Sequence, residues 1–157
     1  MDPLRRDLLK SAGTSFTIST LLASGLLKPK VVLAADWRQR QAFTATTLGE
    51  SLKAYGAQSS METRDIIIST AEITENGAQV PIEIVSNIPG DQSIAVFVEK
   101  NPMPLAASLN FANGALPQVR LQLKMAESSR LRVVVKAADG KIYHANREVK
   151  VTLGGCG

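Results

Sequence analysis

Two rhythms of apolar and polar residues divide this chain. From Ser11 to Leu27 apolar residues alternate only with small and hydroxyl residues; from Asp65 onward apolar positions recur every second residue. Between the two, Leu48, Leu52 and Tyr55 fall at helical spacing. Thr46/Thr47 precede them, with Glu50 three residues after Thr47, which is the pattern of a capping box. Gly56 closes the run, so the spacing predicts a short helix over 48–55. Trp37–Arg40 reads as a strap docked on the body, and the polar run Ala57–Arg64 as loop.

The period-two region predicts strands. Ile66–Ala71 is β-branched, and Asn76-Gly77 signals a turn after it. Val80, Ile82 and Ile84 alternate with Pro81, Glu83 and Val85, and Pro81 argues for a strand start or an edge. Ile94, Val96 and Val98 alternate with Ala95, Phe97 and Glu99, so both faces of that strand are mostly covered. Leu105–Phe111 is a further strand, ended by Asn113-Gly114. Val119, Leu121, Leu123 and Met125 form one apolar face, and Leu131, Val133 and Val135 another. Asp139-Gly140 marks a two-residue hairpin, and Ile142–Leu153 returns as the last strand.

Seven short strands with one small helix predict an all-β fold, an immunoglobulin-like antiparallel β-sandwich with a short N-terminal helix. The cysteine pair that marks many such sandwiches is missing. The expected organisation is a leader over 1–35, a sandwich over 36–153 and a flexible arm over 154–157.

Charge adds little to this picture. The formal charge of +4 is weighted toward the leader, where residues 1–35 hold five Lys/Arg and two Asp/Glu. The remaining thirteen basic and twelve acidic residues leave the body near neutral, with no aromatic-interleaved basic stripe. Nucleic acid is therefore not an expected partner.

The leader carries an address. Arg5-Arg6-Asp7-Leu8-Leu9-Lys10 sets twin arginines before a mildly apolar segment, and Val32-Leu33-Ala34-Ala35 offers a small-residue cleavage site. The pattern resembles a twin-arginine export signal, which carries folded proteins into the bacterial periplasm. Its apolar part is short for a spanning helix, so cleavage rather than a stable membrane anchor is expected.

Enzyme constellations are missing. The sequence has no Gly-x-Ser-x-Gly, no phosphate-cradling loop, no His-Glu-x-x-His and no Cys-x-x-Cys. Its one histidine, His144, lies mid-strand and reads as a surface or hydrogen-bonded residue, with a role as partner or base for Cys156 as the alternative. Met61, Met103 and Met125 read as core or loop filling, and Glu72 and Glu75 as a solvated turn.

Cys156 stands apart. It is the only cysteine, and it follows Gly154-Gly155 and precedes Gly157. A single cysteine forms no intramolecular disulfide and no multi-cysteine zinc site. Glycines tolerate backbone conformations closed to other residues, so the thiol is expected on a bendable arm. An ordinary thiol with a pKa of about 8.5 is mostly protonated at neutral pH, and a neighbouring carboxylate at Gly157 is expected to raise it rather than lower it. Such a group is a poor catalyst alone but suits a covalent carrier that borrows its activation from each host.

The ending Val149–Gly157 closely resembles that of SoxY, the carrier subunit family of bacterial thiosulfate oxidation. Glu72–Pro81, Val98–Ser108 and Val133–Lys136 are similar to that family as well. The family usually ends in one further glycine. The resemblance implies a periplasmic heterodimer with a SoxZ-type subunit, docked on an exposed apolar sheet edge or face. It implies a non-enzyme with no cofactor of its own, whose Cys156 bears sulfur intermediates as an S-thiosulfonate or persulfide. A haem cytochrome, a metal-dependent sulfate-releasing hydrolase and a sulfane dehydrogenase act on it, and the haem and metals belong to them. The competing expectation is an exported, non-catalytic interaction module, tethered to a partner or to a second copy through a Cys156 disulfide.

Overall fold

The computed structural model describes residues 37–90 and 92–152. Helix α1 (Trp37–Thr44) replaces the expected strap. Its Arg, Gln and Ala are good helix formers, and tertiary packing completes the case: Ala42 is fully buried, and its carbonyl accepts the Ser51 hydroxyl at 2.7 Å. Helix α2 (Leu48–Tyr55) has the predicted bounds. Thr47 caps it in extended conformation, accepting the Glu50 N–H at 3.3 Å, and Gly56 ends it at φ 76°. That left-handed conformation is the reason for glycine there.

Nine strands follow among the described residues: β1 (Met61–Glu62), β2 (Ile66–Thr70), β3 (Ile73–Thr74), β4 (Val80–Ser86), β5 (Gln92–Val98), β6 (Leu105–Phe111), β7 (Gln118–Leu123), β8 (Ser129–Ala137) and β9 (Ile142–Val151). They form a larger sheet in the order β1-β9-β8-β5-β6, with β3 also on β9, and a smaller one in the order β2-β4-β7. Among the described residues the fold is all-β with two short helices. The count exceeds the expected seven by β1 and β3, which lie in segments read as loop and turn. Each has two residues, too few to show a period, and both run parallel to β9, so the larger sheet is not purely antiparallel.

The alternating strands bury the predicted faces. Val80, Ile82 and Ile84 of β4 meet Ile94, Val96, Val98, Leu131, Val133 and Val135 between the sheets. β5 has no polar face because its other side is covered too: Ala95, Phe97 and Val134 pack under Ala42, Leu52 and Tyr55 of the helices. Pro81 is the second residue of β4, which is the central strand of the smaller sheet, so strand start was the correct alternative and edge was not.

The β8–β9 hairpin differs from expectation by one residue. Gly140 N–H bonds the Ala137 carbonyl, and Ala137 N–H bonds the Lys141 carbonyl, each at 3.0 Å. The loop is thus Ala138-Asp139-Gly140, with Gly140 at φ 80°. A turn followed by a left-handed glycine is the usual three-residue solution.

Candidate functional site

β9 leads directly into the glycine–cysteine ending, so its last residues are where the site begins. Cys156, Gly154, Gly155 and Gly157 themselves lie outside the described residues. What is described is how β9 is held up to Thr152.

On one side the antiparallel ladder with β8 ends at Ser129↔Val149. The Ser128 side chain then takes over from the backbone. Its hydroxyl accepts the Val151 N–H at 2.9 Å and donates to the Val151 carbonyl at 3.2 Å. On the other side β3 pairs in parallel, Ile73↔Lys150 and Thr74↔Val151. Lys150 N–H bonds the Glu72 carbonyl at 2.8 Å, and Thr152 N–H the Thr74 carbonyl at 2.9 Å.

Below this strand end Gly77 leaves no room for a side chain. A Cβ on it would lie 2.6 Å from the Met125 carbonyl oxygen and 2.9 Å from Val151 Cγ1. Met125 N–H in turn bonds the Gly77 carbonyl at 2.7 Å. Glu72 adds an ion pair to Arg147 at 3.1 Å, so the solvated turn expected there is tied to β9.

Sequence reasoning missed this arrangement. Thr74 and Ser128 are ordinary polar residues, and Gly77 carried only a turn signal. The usable sign was that Glu72–Pro81 belongs to the stretches that resemble the SoxY family.

His144 is half-buried in β9, and its Nδ1 lies 3.0 Å from Ser60 Oγ. Burial first, and then the neighbouring Arg132, push its pKa down, against Glu62 and hydrogen bonding with Ser60. His144 stands eight residues before Thr152, about 26 Å along a strand at roughly 3.3 Å per residue. The four residues that follow Thr152, up to Cys156, extend at most about 13 Å. With β9 paired, the imidazole is out of reach as a base for that thiol.

Other predicted elements are scattered. Met125 is in the core, whereas Met61 and Met103 are exposed. On the outer face of the smaller sheet an open depression of about 470 Å³ is lined by Ser69, Pro81, Glu83, Arg120 and Gln122. Hydrogen bonds from Gln118 and Arg120 hold the Glu83 carboxyl below its usual range, which makes it a fixed anion and a weak base. Among the described residues no group of three His, Cys, Asp or Glu side chains could hold a metal ion. Among them, too, no helix is long and apolar enough to cross a membrane.

Comparison with known proteins places this geometry. The family model for the sulfur oxidation protein SoxY matches residues 52–156, the stretch that ends on Cys156. The sulfur carrier protein SoxY from Chlorobium limicola f thiosulfatophilum is 39% identical, with a TM-score of 0.62 over 73% of this chain and 99% of that one. A superoxide reductase (neelaredoxin) variant from Ignicoccus hospitalis, 18% identical, superposes with a TM-score of 0.50 over 64% of this chain and 87% of its own, which shows shared fold alone. The comparison with curated proteins found no match.

Proposed function

The chain belongs to the SoxY family of sulfur oxidation proteins, and we propose that it carries sulfur intermediates covalently on Cys156. The observation that carries this reading is the extent of the family match, which runs through the β-sandwich and ends on the only cysteine. The 39% identity to a protein described as a sulfur carrier supports it.

The chemistry follows from one thiol. Loading joins the Cys156 thiolate to the outer sulfur of thiosulfate, forming an S–S bond. Two electrons leave, and the acceptor is a haem cytochrome partner. Hydrolysis by a metal-dependent partner then breaks the bond between the outer sulfur and the sulfone. Water supplies the fourth oxygen of sulfate, two protons are released, and Cys156 keeps a persulfide. A sulfane dehydrogenase oxidises that remaining sulfur. Throughout, this chain's residues bind and present, and partners supply redox and metal chemistry. Gly154, Gly155 and Gly157 give the thiol clearance because they carry no side chains. A SoxZ-type subunit is the standing partner, and the periplasm, reached by the twin-arginine route, is the compartment.

Intact-mass spectrometry tests the reading. Protein purified without reductant from thiosulfate-grown cells is expected to carry reducible sulfur adducts localised to Cys156. A bare thiol under all conditions overturns the carrier role, and a homogeneous disulfide-linked species replaces it with a tethered interaction module.

A further inference from the structure

Three features outside the carrier chemistry stand out: the open depression beside Glu83, the uncharged edge strand β6, and the collar around the end of β9. Only the collar joins several independent contacts to a consequence that can be measured. Its hydrogen bonds engage both edges of Lys150–Thr152: Glu72 and Thr74 on one side, the Ser128 hydroxyl on the other. Gly77 closes it from beneath, because only a residue without Cβ fits between the Met125 carbonyl and Val151. A two-residue strand has no stability of its own. β3 therefore exists for what it holds.

We propose that the segment Glu72–Gly77, together with Ser128, is a clamp that positions the carrier cysteine by fixing where the C-terminal segment leaves the domain. This deepens the carrier reading and rests on it for the importance of Cys156. Thr74, Gly77 and Ser128 are positioning residues, acting through the end of β9. With the clamp closed, Cys156 is the fourth residue beyond the last one held, and the thiol is confined to about 13 Å of Thr152. With Lys150–Thr152 released, Cys156 is the seventh residue beyond Val149, and the radius grows to about 23 Å. A longer tether also dilutes the thiol at a partner's site, because effective concentration falls roughly as the −3/2 power of length, about twofold here.

The chain's single cysteine permits a direct test. A nitroxide on Cys156 broadens amide NMR signals within its reach, and amide exchange reports whether Lys150, Val151 and Thr152 are held. In the unsubstituted protein, broadening is expected to be strongest near Thr74, Gly77 and Ser128 and to weaken toward the far end of β9. In Ser128→Ala, exchange at Val151 and Thr152 is expected to rise roughly tenfold, and broadening to spread along β9. Amides of β5 and β8 should keep their protection, and Ser128→Thr should restore the original pattern. The pair Ser128→Ala/Gly77→Ala serves if one change leaves the clamp closed. An unchanged broadening radius in that pair overturns the proposal. So does uniform acceleration across β5 and β8, or a Ser128→Thr protein that behaves like Ser128→Ala. Both readouts judge the clamp whether or not thiosulfate loads Cys156, and adduct mass on the same samples judges the carrier reading separately.

Discussion

The ring of Tyr55 meets that of Phe97 edge to face, with centroids 5.8 Å apart and planes at 78°. This contact joins the helical layer to the larger sheet. Lys136 strengthens it from the side, its ammonium 3.9 Å from the Tyr55 ring centre and bonded to the Tyr55 carbonyl. Phe97 is fully buried, so Phe97→Ala removes both its own burial and the seat of Tyr55. The expected loss is about 3–5 kcal/mol, read as a shift of the urea midpoint. A loss below about 1 kcal/mol would mean that the helices do not depend on this joint.

Both ends of α2 give a smaller, local prediction. Thr47→Ala deletes the acceptor for the Glu50 N–H and is expected to cost about 1 kcal/mol. Gly56→Ala makes only an ordinary contact, with Lys136 Nζ 3.7 Å from the added carbon, so its cost comes from the φ of 76°. That cost is about 1–2 kcal/mol. Thermal unfolding of the two single variants and the double checks this. Costs within error of zero at both ends would show that tertiary packing, not capping, sets the helix bounds.

These elements were legible in the sequence because their causes are local. A cap, a period of 3.6 and a left-handed glycine sit within ten residues of one another, and the alternation Val80, Ile82, Ile84 needs no knowledge of its partner strand. α1 was not legible, because it is defined by Ala42 docking on Ser51 rather than by an apolar stripe. β1 and β3 were hidden for a similar reason: two residues show no period, and both are recruited by the edge of β9. The ending divides the same way. Cys156 drew notice by being single and flanked by glycines, whereas Thr74 reaches Thr152 from 78 positions away and Ser128 reaches Val151 from 23. Ordinary polar residues at such separations leave no local trace of a shared task.

His144 makes stability depend on pH in a definite direction. Burial, and then Arg132, hold its folded pKa below the ordinary 6.5. Above that value both folded and unfolded chains carry a neutral ring, and the residue has no effect. Below it the unfolded chain binds a proton that the folded one resists, so stability falls with pH until the lowered folded pKa is passed. The chain has one histidine, so the difference between the unsubstituted protein and His144→Gln isolates this group. Urea midpoints measured from pH 7.5 to pH 5 (about two and a half units) should fall more steeply for the unsubstituted protein. Parallel curves would show that the imidazole is not desolvated as the structure places it.

The ending itself can be separated into a chemical and a mechanical part. On the proposed carrier role, Cys156→Ser removes the nucleophile and no described contact, so thiosulfate-dependent sulfate formation should stop while the unfolding midpoint and pairing with the proposed SoxZ-type subunit stay unchanged. Replacing Gly154 and Gly155 by Val keeps the thiol but adds β-branched side chains, which restrict the backbone and widen the segment. If the thiol has to enter confined sites on its partners, loading and hydrolysis should slow together at equal thiol reactivity toward a small reagent. That last control carries the argument, because a small reagent needs no clearance and reports only the state of the sulfur. Slower reaction with the small reagent too would assign the effect to the thiol's own environment. Equal rates with every partner would show that the glycines are not needed for access.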